Sequence, residues 1–300
     1  MTSPSAKPLL ISLAPMIFVV LWATGFVVAR LSAGHVAPVW FLALRFPIAG
    51  VFMLALALWQ KAPWPDAKGA FHACVAGALL HGLYLSPIYW AVANGLPAGV
   101  SALIVGLQPF LTAFMAAGIL GEKISSRHWL GLGVGLLGIG LVLAPKLSFT
   151  LLGGITPFTT ALAVFGAVAI ALGSVYQKKF ASTLALATGG VWQYVGASLV
   201  AMLIALALGD FAFDGSVQSW AALGWAVIVL SIISILLLLM LINRGEVSRV
   251  SSWIFLVPAV SSLMTYALFG EKLSALQLAG MAVCGAAVFA VNGPAAKPAR

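Results

Sequence analysis

Ten predominantly apolar runs, most of them close to the length of a bilayer crossing, divide this chain and leave few folds open to it. They cover Leu9 to Val28 and then residues 39–59, 70–93, 97–120, 128–144, 157–177, 184–208, 219–242, 247–269 and 275–292. A helix needs about 20 apolar residues to cross the roughly 30 Å of hydrocarbon in a membrane. The first run exceeds the roughly 7–15-residue apolar core of a secretory signal, so it reads as the first transmembrane helix. Only 7% of the chain is charged and 63% is hydrophobic, against about 25% charged in a soluble domain. That is too little polar surface to coat a globule, so lipid must be the solvent. The expectation is an all-α polytopic membrane protein with ten transmembrane helices.

The chain also repeats itself. Pro109 and Pro258 differ by 258 − 109 = 149, and the same shift carries Gly121-Glu122-Lys123 onto Gly270-Glu271-Lys272. It pairs Asn94 with Asn243, Leu107 with Leu256, Ser125 with Ser274, Gly131 with Gly280 and Val134 with Val283, without a gap. Self-similarity of this length at half the chain marks an internal duplication. The expected units are residues 1–150 and 151–300, five helices each. An odd number of crossings per unit inserts the two copies in opposite directions.

Loop charges agree with that inversion. With the N-terminus inside, the cytoplasmic side holds Lys7, Lys61, Lys68, Lys123, Arg127, Lys178, Lys179, Arg244, Arg249, Lys297 and Arg300. The outer side holds Arg30, Lys146 and Lys272. Eleven cations against three follow the positive-inside rule. Both termini are then cytoplasmic, and the two Gly-Glu-Lys corners fall on opposite faces. Transporters built from inverted repeats place the substrate near the midplane, between the halves.

Several classes are excluded. A formal charge of +9 is loop charge that sets orientation, and no basic soluble segment offers a nucleic-acid surface. Cys74 and Cys284 lie within apolar runs, with no disulfide or metal spacing. Gly133-Val134-Gly135-Leu136-Leu137-Gly138 matches a dinucleotide fingerprint, but no strand precedes it. Gly131, Gly135 and Gly138 instead make a small-residue face for a close neighbour, with the tenth span, through Gly280 and Cys284, the expected partner. No Asp or Glu lies inside a span, so a buried proton-exchanging carboxylate and a hydrolytic residue set are both missing. The chain is not expected to be an enzyme, and no cofactor or metal is expected.

The mid-membrane polar residues carry the functional reading. His81 falls at the centre of the third span, with Tyr84 three residues on and on the same helix face. The repeat-equivalent stretch of span eight carries Ser231 and Ser234. Arg45 stands about two turns in from the outer end of span two, either as a tether that snorkels outward or as a partner for a substrate carboxylate. His72 lies near an inner end and is within reach of the interface. Trp22 and Trp253 sit beside soft points of their helices. Pro109 and Pro258 are expected to bend spans four and nine, and to free the carbonyls of Val105 and Ile254 for a substrate ammonium. Glu122 and Glu271 are expected to interact with amides at the start of the helix that follows each. What remains between these groups is an uncharged, aromatic, hydroxyl-lined path. It suits a small zwitterion or neutral metabolite, with His81 as the one central candidate for proton coupling.

Trp22-Ala23-Thr24-Gly25-Phe26, Arg45, Pro109 with its Gly-Glu-Lys corner, and Pro258 with the second corner resemble the EamA repeat of the drug/metabolite transporter superfamily. The length and order of spans are similar to its YddG-like aromatic amino-acid exporters. That resemblance implies an inner-membrane protein that moves aromatic and other neutral amino acids outward by alternating access. The sequence leaves the oligomeric state open, with a monomer favoured. It implies a cavity lined by spans 1, 3, 4, 6, 8 and 9, which here points to Trp22, His81, Tyr84, Ser101, Gln108, Tyr176, Ser231 and Trp253, with Pro109 and Pro258 as hinges. A multidrug or sugar-derivative exporter of the same superfamily stays open, as does a non-transporting receptor or scaffold.

Overall fold

The computed structural model describes residues 6–32, 34–96, 98–146, 155–245, 247–270 and 273–292. The body is α1 (Ala6–Ser32), α2 (Pro38–Trp59), α3 (Ala67–Ala93), α4 (Val100–Leu120), α5 (Ser126–Leu143), α6 (Pro157–Ala181), α7 (Leu186–Leu208), α8 (Val217–Arg244), α9 (Val247–Leu268) and α10 (Ala275–Asn292). Nine of these, α2 to α10, are long and apolar enough to cross a membrane, and α1 contributes the apolar stretch Leu13–Gly25. Among the described residues there is no strand, only one isolated bridge between Val36 and Phe213. Phe114, Leu130, Leu137, Leu203 and Phe289 point outward and are well exposed. In a soluble protein so much outward apolar surface would drive aggregation. The chain is a multi-pass membrane protein.

The helix starts follow the sequence. Asp66 accepts from Gly69 N at 2.8 Å and starts α3 at Ala67, three residues before the apolar run. Ser125, Thr156 and Ser216 cap α5, α6 and α8 in the same way. Gly121 and Gly270, each closing a helix before a Gly-Glu-Lys corner, take left-handed φ values of 71° and 68°, where only glycine is unstrained. Glu271, Lys272 and the unit boundary at 150/151 lie outside the described residues.

The two prolines do not kink continuous helices. α4 breaks at Gly106-Leu107 and restarts at Gln108, and α9 passes through a 3₁₀ turn at Trp253–Leu256 and restarts at Val257. Pro109 and Pro258 each occupy the first turn of the new segment, where the missing N–H has no intrahelical partner to lose. The Ile254 carbonyl, expected to be free, accepts from the Val257 amide.

α5 and α10 run antiparallel in close contact. A Cβ built on Gly131 would stand 2.6 Å from Val291 Cγ2, one on Gly138 2.7 Å from Cys284 Sγ, and one on Gly280 2.6 Å from Val142 N. The partner number falls as the glycine number rises within α5. The shift of 149 turns Gly131–Val291 into Gly280–Val142, so one contact is made twice with the roles exchanged. α3 and α7 approach still closer: a Cβ on Gly77 would lie 1.9 Å from the Gln193 carbonyl oxygen, and one on Gly196 2.0 Å from that of Cys74.

Loop contacts gather at two ends. At one, His35 Nδ1 lies 2.5 Å from Asp214 Oδ2 and Ala37 N donates to Ala212 O. The other is the basic end. There Thr188 Oγ1 donates to Pro63 O, Lys178 Nζ to Asn243 O and Lys179 Nζ to Ile119 O. Glu122 departs from expectation at this end. Ser125 already holds one free amide of α5, that of His128. The Glu122 carboxylate turns to the start of α9 instead, accepting from Val247 N at 2.8 Å, Ser248 N at 3.3 Å and Ser248 Oγ at 2.6 Å. The opening amides of α9 have no intrahelical acceptor, and an anion at a helix N-terminus is favoured.

Candidate functional site

Two long helices change their winding halfway across. α3 contains a π-helical turn at Ala78–Gly82 and α8 a longer π-helical stretch at Ala226–Ser234. Adding 149 to 78 and 82 gives 227 and 231, so the first turn maps inside the second stretch. Single π turns inside α-helices recur at functional sites because they re-aim side chains and loosen the hydrogen-bond ladder. Here the first carries His81 and the second Ser231 and Ser234.

α2 and α7 bring the remaining parts. Arg45, on α2, is 7% exposed and donates from Nε to Ser231 Oγ at 2.7 Å. Tyr194, on α7 and 1% exposed, donates its hydroxyl to the Ser231 carbonyl. Since 45 + 149 = 194, the two residues that grip Ser231 occupy the same place in the two copies. The Tyr194 ring stacks on His81 with centroids 5.3 Å apart and planes inclined by 16°. Phe46 lies 6.0 Å from His81, 6.2 Å from Tyr194 and 5.8 Å below the Arg45 guanidinium. His81 is 3% exposed and its Nε2 has no hydrogen-bond partner. Arg45 therefore does not snorkel. It places a full charge in the path that the sequence alone reads as uncharged, because Ser231 and the rings turn it inward.

The other expected lining residues fall into separate groups. Trp22, Tyr84 and Trp253 share one apolar cluster with Phe18, Leu239 and Val257. Gln108 is buried, donates from Nε2 to Thr112 Oγ1 at 3.0 Å and to Ser251 Oγ at 3.4 Å, and keeps an unpartnered Oε1. Ser101 is buried on the first segment of α4. Tyr176 lies apart, half-buried towards the basic end, with its hydroxyl 2.6 Å from His72 Nδ1 and its ring against Phe180. Next to that end Gln193 donates to Gln177 Oε1 at 2.9 Å, both side chains being buried. At the basic end, Leu120, Glu122, Lys178, Arg244 and Gly245 line an open cavity of about 480 Å³.

Sequence reasoning overlooked Tyr194, Gln193 and Gln177 as partners of this site. The shift of 149 supplied a signal for Tyr194, since it lands there from Arg45. Nothing in the composition of α6 and α7 marked the two glutamines.

The EamA-like transporter family model matches this chain twice, over residues 9–144 and 158–293. The chain belongs to the EamA-like transporter family. It is a membrane transporter. An uncharacterized inner membrane transporter, YedA, of Escherichia coli strain K12 is 25% identical over 273 residues, covering 91% of this chain and 86% of the relative. A probable amino-acid metabolite efflux pump of Salmonella typhimurium is 24% identical over 285 residues, covering 91% and 92%. A crystal structure of a protein that is 21% identical superposes with a TM-score of 0.76, covering 94% of this chain and 96% of that one. At that identity the likeness shows the fold alone.

Proposed function

We propose that this EamA-like transporter sits in the inner membrane and exports small neutral metabolites, above all aromatic and other neutral amino acids. Residues 1–150 and 151–300 act as two inverted five-helix halves. The observation that carries this reading is the buried polar cluster of Arg45, His81, Tyr194 and Ser231. Two of its helices, α2 and α3, come from the first half and two, α7 and α8, from the second. A polar cluster at such a junction is where alternating access requires a substrate to bind. The Salmonella relative, named a probable amino-acid metabolite efflux pump, supports the substrate class. The exchanged contacts between α5 and α10, together with the loop charges, support the inversion and a cytoplasmic location for both termini.

Substrate passes Tyr176 towards the basic end and meets Trp22, His81, Tyr84, Ser101, Gln108, Ser231 and Trp253 farther along its way between the halves. The breaks ahead of Pro109 and Pro258 are where α4 and α9 flex, since neither carries a continuous helical ladder across the membrane. Glu122 holds α9 to the first half at the basic end, which is cytoplasmic in this topology. With no carboxylate in a span, transport runs down the substrate gradient. The protein works as a monomer. The test is counterflow in proteoliposomes with one labelled aromatic amino acid, competed by a panel of amino acids at several pH values. Saturable counterflow with competition by neutral amino acids is expected. Absence of counterflow for every amino acid would overturn the substrate class.

A further inference from the structure

Among the described residues Arg45 is a buried cation without an anion. The chain has six acidic residues, namely Asp66, Glu122, Asp210, Asp214, Glu246 and Glu271, and all of them lie between spans. Among the described residues Arg45 pairs with no carboxylate, and its one hydrogen bond spends Nε on a serine hydroxyl. The aromatic face of Phe46, 5.8 Å away, is a weak substitute for a counter-ion. Intramembrane charges that face a bundle interior pair with one another or mark a solute path. Across the same cluster the His81 ring presses on Tyr194, and its buried Nε2 has no partner. Gln193 reaches the same imidazole. A guanidinium from α2 and an unpartnered imidazole nitrogen from α3 thus both belong to the cluster around Ser231.

We propose that Arg45, with His81 and Ser231, forms an anion subsite that receives the carboxylate of the transported solute. This rests on the transport reading above and narrows it: a solute must carry a carboxylate, and neutral molecules without one are poor substrates. The planar guanidinium suits a carboxylate because its remaining N–H groups match the two oxygens in one plane. A solute carboxylate completes the pair that the chain's own acids do not supply, and it leaves the site when the solute does.

The experiment uses the purified full chain in detergent and reads binding by ligand-induced thermal shift. The probes are matched pairs: L-phenylalanine against phenylalaninamide, and benzoate against benzamide. Wild-type protein is expected to bind each carboxylate at least tenfold more tightly than its amide. Arg45→Gln should bring that ratio close to one, and Arg45→Lys, which keeps the charge without the paired donors, should give an intermediate ratio. Should Arg45→Gln fail to fold, the wild-type ratio and Arg45→Lys decide the matter. Equal binding of acid and amide by wild type, or an unchanged ratio in the variants alongside a lowered melting temperature, would make Arg45 a tether and overturn the proposal. Chloride competing as well as benzoate would also overturn it, in favour of a general anion site. Binding requires no transport, so benzoate selectivity without amino-acid counterflow would sink the amino-acid reading and leave the subsite standing. Counterflow that Arg45→Gln does not alter would do the reverse.

Discussion

Glu122→Ala removes three hydrogen bonds between the first Gly-Glu-Lys corner and the start of α9. Two come from backbone amides at 2.8 and 3.3 Å and one from the Ser248 hydroxyl at 2.6 Å. A hydrogen bond to a charged group contributes about 1.5–3 kcal/mol. The three do not add in full, because the carboxylate borders an open cavity and water replaces part of what is lost. Loss of a single cap costs about 1 kcal/mol, and a charge-assisted cap with a hydroxyl behind it should cost about 2 kcal/mol. Since 1.4 kcal/mol is tenfold in an equilibrium, opening of the Val247 and Ser248 amides should become roughly 30-fold more frequent. Hydrogen exchange by mass spectrometry on peptides spanning residues 245–256 reads this directly, and thermal unfolding ranks the variants. Ser125→Ala, which removes only the cap on His128 N, is the control. Glu122→Gln keeps one acceptor oxygen and should fall between the two. If Glu122→Ala left exchange in α9 unchanged and destabilised no more than Ser125→Ala, the carboxylate would not be holding α9.

Gly138→Ala should destabilise by about 1–3 kcal/mol, the cost of overpacking, because its Cβ would lie 2.8 Å from the Cys284 backbone nitrogen. Gly140→Ala, on the same helix with nothing within 4 Å, should be neutral or stabilising by about 0.5–1 kcal/mol in the same thermal assay. Tyr194→Phe strips the buried Ser231 carbonyl of its donor and should cost about 1–3 kcal/mol, read as a lower melting temperature with secondary structure retained. Hydrogen bonds from Ser219 Oγ and the Ser216 amide, with His35 alongside, hold the Asp214 carboxyl well below the usual carboxylate range. A depressed folded-state value means its contribution is present above the unfolded value, about 3.9, and is lost as pH falls through the lower folded one. Asp214→Asn should therefore lower the melting temperature above about pH 4, and the gap should close below that. A gap that widens on acidification would contradict this.

The membrane spans were legible because bilayer thickness sets their length and lipid their composition, so each apolar run from Leu9 onward became a helix. The α5–α10 contact was legible too, because Gly131, Gly138 and Gly280 exclude side chains from one face. Local chemistry foretold less than it promised at Glu122. The capping rule named the right kind of partner, backbone amides, but the amides lie 125 residues on, and tertiary placement decides which helix start is near. The π turns of α3 and α8 leave no trace in hydropathy, since adding one residue to a turn changes no residue type. Arg45 was visible as an oddity, whereas its hold on Ser231 was not. Tyr194, which shares its place in the repeat but not its chemistry, holds the same serine by its carbonyl. Pro109 and Pro258 marked the places where the α-helical ladder is interrupted, and the structure restarts a helix at each.

The proposal that the two halves are oppositely inserted and meet around the buried polar cluster is tested by the side of the membrane on which each Gly-Glu-Lys corner lies. In a background with Cys74 and Cys284 replaced by alanine, Lys123→Cys and Lys272→Cys are labelled in intact cells and in inverted vesicles with a membrane-impermeant maleimide. With the halves inverted, the cysteine at position 272 reacts from outside and the one at position 123 only from the cytoplasmic face. Labelling of both from the same side would contradict the inversion and remove the shared site between the halves.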